Sequence, residues 1–547
     1  MEHYFSKLQK SIKKYWDKDI LCNYRGESFS CQEVATTIEK FHIFFKNAGI
    51  AKGDRIAVCA RNSARWAQAF LSANTFEAVV VPILDNFHPD SMQNLLKHSA
   101  TRILFTDADI WHKLDPDALP EIIAVVNAAD FSLLYARTEA VEAAFNGAPA
   151  AFKAKYPAGF TREDVSYPEC DLQELAVINY TSGTTSAPKG VMLRFECFSA
   201  MVDYCSLNMP INSEDSLVSI LPMGHIFGLM LEFIYPVCNG TRVYYFGKTP
   251  SPTLLLQAMA EIRPYLLFSV PLVMEKVYKS SVKPVISKWY MKFALGIPVI
   301  GDAIYRKIGE KVIAAFGGRL HACIMGGAAL NPETEEALKR MKFPYTVGYG
   351  MTEAAPLLAW DQTDVYVPGS CGKAITCVDI RIDSDDPEHI AGEIQAKGPN
   401  ICSGYYNNPE ASANAFTEDG YLRTGDLGIM DKNGVIFIKG RSKNMILTAN
   451  GQNIYPEEVE AIVNNQPYVA ESLVLDRASR IVALVVLDSD AIRKEKLDEE
   501  AVADIPEQVR ISANKLLPSY SQISKVEVML APFEKTPKMS IKRFLYK

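Results

Sequence analysis

The feature that most constrains this chain is a repeated alternation of short apolar segments with longer helical stretches, from about residue 20 to 360. RIAVCA and AVVVPIL each precede a helical stretch, and LAVINY, DSLVSILP, LHACIMGG and FPYTVGYG read as further strands. This alternation is typical of doubly wound α/β layers. The sequence therefore predicts an α/β fold for most of the chain.

The pattern changes after about residue 364, and at 547 residues two or more domains are expected. Short alternating segments such as VDIRID and GEIQAKG, and a DKNG turn between LGIM and VIFIKG, predict a β-rich subdomain over 364–440. After GRSKN come a hairpin candidate (SLVLDRASRIVALVVLD), a helix candidate near 500 to 517 and a late strand, SKVEVML. We expect a large N-terminal domain over 1–440 and a small mobile α+β domain over 441–547. The stretch from about 115 to 172 is alanine-rich and weakly patterned.

Composition limits the classes of function. The net charge of -7 and the pI near 5.8 argue against a nucleic-acid partner. Eleven cysteines, without a C-x-x-C pair and with none beyond Cys402, indicate neither a disulfide framework nor a zinc site. We find no apolar run near 18 residues and no secretion signal, so a cytoplasmic protein is expected.

The N-terminal segment leaves one alternative open. Lysines at positions 7, 10, 13, 14 and 18 lie on a predicted helix. They either form a face that contacts anionic lipid at the inner membrane surface or a solvated face.

The segment YTSGTTSAPKG, residues 180–190, is the most informative for function. Glycine lets backbone N–H groups converge on an anion, hydroxyls add donors and a lysine supplies a mobile charge, so Gly183 and Lys189 suit phosphate binding. It is not a Walker A loop, because Pro188 stands where glycine is required and Gly190 follows the lysine. A flexible linker is the alternative. The hydroxyl residues are Thr181, Ser182, Thr184, Thr185 and Ser186.

This segment resembles the phosphate-binding signature of the adenylate-forming (AMP-binding) superfamily, which includes acyl-CoA synthetases, luciferases and peptide-synthetase adenylation domains. The resemblance implies that Thr184 and Lys189 act in catalysis and that Thr181 also binds Mg²⁺. The nucleotide-binding residues that it implies in this segment are Thr181, Ser182, Gly183 and Thr185.

Two further segments resemble the parts of the superfamily that contact the acid. LPMGHIFGL, residues 221–229, is similar to the loop beside the carboxylate substrate, with His225 at the gating position; a structural histidine is the alternative. GGAAL, residues 326–330, directly follows the apolar run HACIM, and ligands often bind at such carboxyl ends of strands in α/β sheets. There the resemblance implies contacts of Gly326, Gly327 and Ala328 with adenine and the acyl group, and a tight strand-to-helix turn is the alternative.

YGMTE, residues 349–353, matches the superfamily's contacts with adenine, phosphate and magnesium. The resemblance implies an aromatic face at Tyr349 and a hydroxyl at Thr352, with Gly350 also among the nucleotide-binding residues. It also implies that Glu353 is catalytic and binds Mg²⁺, which needs only one or two protein carboxylates because it keeps waters and bridges phosphates.

YLRTGDLG and GRSKNMILTANGQNIYPEEVE resemble the ribose site and the hinge. Asp426 is predicted to accept hydrogen bonds from both ribose hydroxyls, and Arg441 also reaches the ribose; a hairpin-turn aspartate is the alternative for Asp426. Lys443 corresponds to the hinge pivot.

The tail departs from the superfamily pattern K-T-x-x-G-K-I-x-R. It reads KTPKMSIKR, with Met539 at the glycine position and Ser540 at the catalytic lysine position. Lys538 or Lys542 replaces that lysine after a local shift, or adenylation is slow, or the protein binds acyl-adenylate without making it. We favour the first account.

Five motifs in the superfamily's order predict an ATP- and Mg²⁺-dependent ligase that makes an acyl-adenylate and then an acyl thioester. The combination of GHIFGL, GGAALNPE and GRSKNMIL is most similar to bacterial long-chain fatty acyl-CoA synthetases, which implies a fatty acid and coenzyme A as substrates. The loading of an acyl carrier protein and a catalytically weak acyl-adenylate-binding protein are the alternatives. The sequence does not indicate chain length or oligomeric state.

Overall fold

A computed structural model describes residues 1–181, 189–247, 250–447, 453–477, 480–536 and 541–546. The strands of its first part are β1 (Asp19–Asn23), β2 (Ser28–Ser30), β3 (Arg55–Cys59), β4 (Val79–Pro82), β5 (Thr101–Thr106), β6 (Ala124–Asn127), β7 (Leu133–Ala136), β8 (Leu175–Thr181), β9 (Lys189–Arg194), β10 (Ser216–Ser219) and β11 (Arg242–Tyr245). The α-helices are α1 (Tyr4–Lys14), α2 (Cys31–Asn47), α3 (Ala64–Thr75), α4 (Pro89–His98), α5 (Ala108–Trp111), α6 (Glu139–Lys155), α7 (Phe195–Asn208) and α8 (Tyr235–Cys238), with a π-helix at Gly228–Ile234.

A seven-stranded sheet forms the centre of this part, in the order β7-β6-β5-β3-β4-β8-β9. β6, β5, β3, β4 and β8 run parallel, and the edge strands β7 and β9 are antiparallel to their neighbours. Strands such as RIAVC and VVVP are buried along nearly their whole length, as expected where helices cover both faces of a parallel sheet. The predicted doubly wound α/β fold is confirmed.

Two more sheets follow, one of β10-β11-β1-β2 and one of three parallel strands. The three parallel strands are β12 (Leu266–Ser269), β13 (Ala322–Met325) and β14 (Tyr345–Val347). Their helices are α9 (Pro252–Ile262), α10 (Pro271–Val277), α11 (Lys283–Ile286), α12 (Trp289–Leu295), α13 (Pro298–Ala315) and α14 (Pro332–Arg340). Ser269, Met325 and Val347 lie side by side in the ladder, so the three carboxyl ends meet at one edge.

The remaining chain forms smaller sheets. A short antiparallel sheet contains β15 (Tyr349–Gly350), β16 (Leu357–Trp360) and β17 (Lys373–Ala374). The β-rich part contains β18 (Asp379–Asp383), β19 (Gly392–Lys397), β20 (Leu422–Met430) and β21 (Ile436–Arg441), with α15 (Pro409–Asn414). The last part contains β22 (Ile446–Leu447), β23 (Asn453–Ile454), β24 (Val469–Arg477), β25 (Arg480–Leu487), β26 (Lys525–Val528), α16 (Pro456–Val463), α17 (Ser489–Glu495) and α18 (Glu499–Asn514). These parts give a large N-terminal domain followed by a smaller C-terminal one.

The N-terminal helix α1 packs into the core. Its apolar residues Tyr4, Phe5, Leu8 and Ile12 are buried. Its lysines remain outside, and Lys7 forms an ion pair with an aspartate of α7. The helix therefore presents no apolar face for insertion into lipid. Across the described residues, no helix is both long and apolar enough to cross a bilayer.

Candidate functional site

The predicted phosphate loop connects β8 to β9. The two strands pair so that Thr181 lies opposite Lys189, which holds the ends of the loop together. Ser182, Gly183, Thr184 and Thr185 lie outside the described residues. The Nζ atom of Lys189 lies 4.7 Å from the ring centroid of Tyr405, within range of a cation–π interaction. This contact directs the lysine toward the region of Glu353.

Glu353 lies in the 3-10 turn Thr352–Ala354, which directly follows β15. The side chain is buried, and its Oε1 atom accepts a hydrogen bond of 2.9 Å from the Tyr405 hydroxyl. Burial, followed by the negative charge of Glu353, raises the pKa of Tyr405 far above its ordinary value, so the tyrosine stays a donor. Lys189, Tyr405 and Glu353 thus form one cluster, in which a carboxylate and a cation share an aromatic neighbour.

A second cluster lies where β20 pairs with β21. The ladder places Asp426 opposite Arg441, whose Nε is 2.7 Å from Asp426 Oδ1. The Tyr349 hydroxyl donates a 2.7 Å hydrogen bond to Asp426 Oδ2. The side chains of Asp426 and Tyr349 are buried, whereas that of Arg441 is exposed. The structure therefore brings together the residues that the sequence assigns to adenine and ribose.

The two clusters share one electrostatic environment. Burial raises the pKa of Asp426, the positive charge of Arg441 opposes this shift, and the negative charge of Glu353 adds to it. Two carboxylates with a lysine and an arginine beside them provide oxygen ligands and positive charge for a metal–phosphate group. The chemistry of these side chains fits Mg²⁺ bound by Glu353.

The loop with His225 is fixed from two sides. Asn62 donates a hydrogen bond of 2.7 Å to the carbonyl of Leu221 and accepts one of 2.9 Å from the amide of Met223. Asn179, within β8, donates 3.0 Å to the carbonyl of Gly224. The bond from Asn179 joins the predicted acid-contacting loop to β8, and β8 is the strand that leads into the predicted phosphate loop. His225 itself is half-buried.

GGAAL begins at the edge where β12, β13 and β14 end. Gly326 is buried against the Phe227 ring, because a Cβ atom at this position would lie 3.3 Å from that ring. Gly327 has φ +86°, which favours glycine, and Gly327 and Ala328 are exposed. The structure thus places GGAAL beside the loop of His225, as the two predicted acid-contacting segments require.

Glu232 is a buried carboxyl group that the sequence analysis missed. It lies in the π-helix after His225 and is fully buried. Its oxygens accept hydrogen bonds from the Ser219 hydroxyl (2.9 Å), the Ile220 amide (3.2 Å) and the Leu221 amide (2.9 Å). Burial raises the pKa of Glu232 to about 8. The carboxyl group therefore braces the strand end from which the His225 loop departs.

The C-terminal residues lie apart from these clusters in the chain. Lys443 is exposed in the 3-10 turn Ser442–Asn444, which follows β21. Lys542 forms an ion pair of 3.3 Å with Glu534 of the same domain. Lys538 lies outside the described residues. The structure therefore connects Lys542 to its own domain, not to Glu353.

Tyr405 is the other residue that the sequence analysis missed. It joins Lys189 to Glu353, yet 52 residues separate it from the carboxylate in the chain. No spacing in the sequence indicates such a contact, because it depends on how the segment after the β19 strand returns to β9. Met192 and Gly404 carry this return through a backbone hydrogen bond of 3.0 Å.

Comparisons with known proteins agree with this geometry. The AMP-binding enzyme family matches residues 8–406, and the AMP-binding enzyme C-terminal domain matches residues 443–546. Long-chain-fatty-acid–CoA ligase 1 of Schizosaccharomyces pombe is 27% identical over 529 residues, covering 89% of this chain and 75% of that protein. Long-chain-fatty-acid–CoA ligase FadD15 of Mycobacterium bovis is 25% identical over 563 residues, covering 94% and 89%.

A solved structure shows the same fold. O-succinylbenzoate coenzyme A synthetase from Bacillus subtilis, in complex with AMP, has a TM-score of 0.75 with 20% identity, covering 99% of this chain and 98% of that one. The family match extends over most of the chain and includes β8, β9 and the segment of Glu353. The chain therefore belongs to the AMP-binding enzyme family, the adenylate-forming superfamily that its motifs resemble.

Proposed function

We propose that the protein uses ATP to convert a fatty acid to acyl-AMP and pyrophosphate, and then transfers the acyl group to coenzyme A. The observation that carries the proposal is the pair of clusters around Glu353 and Asp426. They contain a lysine, an arginine and two buried carboxylates, and the lysine begins β9, the strand that follows the loop assigned to phosphates. The names of the fatty-acid–CoA ligase relatives support the acid and the acceptor.

In the first step a carboxylate oxygen of the acid attacks the α-phosphorus, and the bond from that phosphorus to the pyrophosphate oxygen breaks. Catalysis of this kind is mainly positioning and charge stabilisation. Lys189 supplies positive charge, and Tyr405 orients Glu353 through the hydrogen bond to Oε1. Glu353 and the hydroxyl of Thr181 would hold Mg²⁺, which neutralises phosphate charge when bound.

Asp426 and Arg441 are proposed to bind the ribose. Asp426 is held in place by Tyr349 and Arg441, so its oxygens are oriented before the nucleotide arrives. A preorganised acceptor loses less conformational freedom on binding than a mobile one. We assign the adenine contacts to Tyr349, Gly350 and the GGAAL segment.

In the second step the thiol sulfur of coenzyme A attacks the acyl carbonyl carbon, and the bond from that carbon to the AMP oxygen breaks. We propose that a rotation at Lys443 changes which residues of the C-terminal domain face the site. The proposed division of the chain is 1–440 and 441–547, with the β-rich subdomain over 364–440. The exposure of Lys443 in a short turn supports a hinge there.

Ser540 requires another source of positive charge, and we propose Lys538 or Lys542. In the structure Lys542 forms an ion pair with the exposed Glu534. Such exposed pairs contribute only about 0 to 1 kcal/mol, so the pair would not prevent Lys542 from moving to the site.

The fold alone does not determine which acid and which acceptor are used. The structural neighbour from Bacillus subtilis is named for o-succinylbenzoate, so this fold accommodates acids of different shape. Each buried methylene contributes about 0.8 kcal/mol, so the depth of the acyl site sets the preferred chain length. Acyl carrier protein as the acceptor remains the second candidate. Ser540 is the observation that favours the third candidate, a weakly catalytic binding protein.

The test is an incubation of purified protein with Mg-ATP and fatty acids from short to long, with and without coenzyme A. Pyrophosphate release and thioester formation are followed by a coupled assay and by mass spectrometry, with Glu353→Gln as the inactive control. Both products, with a chain-length optimum, are expected from the wild-type protein only. Pyrophosphate without acyl-CoA would redirect the proposal to a carrier protein. Neither product with any acid would refute it.

A further inference from the structure

Residues 289–300 form an exposed apolar surface at the turn from α12 to α13. Trp289 is 82% exposed, Phe293 77% and Val299 82%. Trp289 and Phe293 are four residues apart in one helix, so they lie on the same face. The other exposed apolar residues of this surface are Tyr290, Ile297 and Ile300.

This surface has a defined shape. The amide of Gly301 donates a 2.7 Å hydrogen bond to the carbonyl of Ile297, at the start of α13. A Cβ atom at Gly301 would lie 2.7 Å from the Leu295 carbonyl oxygen, so only glycine allows α13 to come so near to the end of α12. The close approach forms a tight corner whose apolar side chains face outward.

The chain around this surface is basic. Residues 272–311 contain eight Lys or Arg and three Asp or Glu, a net charge of +5 in a protein whose total is -7. Two of the acids are engaged, because Asp302 pairs with Arg340 and Glu275 accepts the Asn331 amide. The exposed cations include Lys276, Lys279, Lys288, Arg306 and Lys307.

We infer that the 289–300 surface docks on an anionic lipid bilayer. Tryptophan and tyrosine beside lysines are the side chains that favour the membrane–water interface, and anionic headgroups attract each nearby cation. A second copy of the chain is a poorer occupant, because the segments 272–311 of two copies, each with a net charge of +5, repel each other, and protein interfaces are depleted in lysine. Helix α1 does not offer exposed apolar side chains beside lysines, because its apolar face is buried.

The surface is connected to the acid-contacting side of the site. α10 begins two residues after β12 ends, at the edge where GGAAL lies. Tyr278 and Lys283 both contact the carboxylate of Glu333, at 2.9 Å each, and Glu333 follows that segment. A docked protein would therefore take fatty acid from the bilayer beside its acyl site. This consequence rests on the proposed function, whereas docking itself does not.

The test is flotation with vesicles of phosphatidylcholine alone or with phosphatidylglycerol, without ATP, acid or coenzyme A. Of the five tryptophans, all in the described part of the chain, Trp289 alone is exposed; the others are at most 7% exposed. Its fluorescence should shift to shorter wavelength on phosphatidylglycerol vesicles and be quenched by brominated lipid. Flotation with phosphatidylglycerol, weakened by salt, is expected.

Variants distinguish vesicle binding through the 289–300 surface from nonspecific binding through any exposed apolar side chain. Trp289→Ser with Phe293→Ser should weaken vesicle binding about tenfold or more, because two large apolar side chains leave the bilayer. Lys279→Gln with Lys288→Gln should weaken binding to phosphatidylglycerol about tenfold. Leu207→Ser is the control, since Leu207 is 82% exposed on α7. All three should convert a short, soluble acid at the wild-type rate, if the protein is a ligase.

Two outcomes would overturn the inference. One is wild-type protein that fails to float with phosphatidylglycerol, or variants that float as well as wild type. The other is a wild-type dimer that the Trp289 and Phe293 substitutions convert to monomer without any vesicle binding. Neither outcome depends on substrate turnover, so a failed activity assay would leave the docking result interpretable.

Discussion

Replacement of Asp426 by asparagine tests the proposed ribose site. Asp426 accepts a hydrogen bond of 2.7 Å from Tyr349 and forms an ion pair of 2.7 Å with Arg441, and the proposal adds two hydrogen bonds from the ribose hydroxyls. An asparagine keeps the shape, but its amide nitrogen is a donor and faces one of these donors. Hydrogen bonds to a charged acceptor contribute about 1.5 to 3 kcal/mol each, and asparagine keeps only one acceptor oxygen, so losing one ribose bond lowers kcat/KM for ATP about 10 to 10²-fold.

The assay is pyrophosphate release with ATP, 2′-deoxy-ATP and 3′-deoxy-ATP. Wild-type protein should lose activity with each analogue, whereas Asp426→Asn should lose less with at least one of them, because the acceptor of one hydroxyl has already been replaced by a donor. Asp419→Asn is the matched control, an exposed aspartate of the same β-rich part that pairs with Arg381. An unchanged penalty for the deoxy analogues in Asp426→Asn would refute the assignment.

Four further substitutions address other parts of the molecule. Glu232 has a pKa of about 8 against an ordinary 4.5, so the folded protein keeps a proton that the unfolded chain releases. Its contribution to stability is therefore lost as the pH rises from about 4.5 to about 8, and Glu232→Gln should remove up to about 5 kcal/mol of that pH dependence in urea unfolding. Gly350→Ala should lower the melting temperature by the equivalent of about 1 to 3 kcal/mol or more, because its Cβ would lie 1.9 Å from the Pro356 carbonyl oxygen. Lys538→Ala or Lys542→Ala should slow adenylate formation about tenfold or more, yet spare thioester formation from supplied acyl-AMP.

Each of these predictions would be contradicted by a specific result. The assignment of Glu232 fails if wild type and variant show the same pH dependence. Gly147→Ala, in an uncrowded position of α6, is the control for Gly350→Ala and should not destabilise. Wild-type adenylation in both lysine variants would eliminate the substitute-lysine account.

The sequence predicts the strands well where burial is continuous. LAVINY covers all of β8 except its last residue, LHACIMGG and SKVEVML contain β13 and β26, and the helix expected near 500 to 517 is α18, Glu499–Asn514. The structure adds α6, Glu139–Lys155, in a stretch that gave no clear pattern. Only Val141 and Ala148 of that helix are buried, so it shows little of the apolar periodicity by which a helix is recognised.

The site was predictable where its residues lie in local motifs. Lys189, Glu353 and Asp426 stand in segments whose residue types suit phosphate, metal and ribose. In the structure each of them lies in one of the two clusters described above. Tyr405 acts through a contact between segments 52 residues apart, and Glu232 acts through contacts with residues 219–221 across the loop of His225; residue spacing reveals neither. The catalytic roles of all these residues stay predictions until the variants are measured.

With the ribose and hinge assignments proposed above, the pairing of Asp426 with Arg441 would make nucleotide binding and the turn at Lys443 thermodynamically interdependent. Arg441 is the last residue of β21, and the turn with Lys443 begins at the next residue. Ribose hydroxyls that donate hydrogen bonds to Asp426 compete with Arg441 for its oxygens, and so change the restraint at the base of that turn. Binding couplings are reciprocal, so any domain arrangement that shifts Arg441 must alter nucleotide affinity by the same factor. Release of AMP would thus change the restraint that Arg441 places on the turn between the two domains.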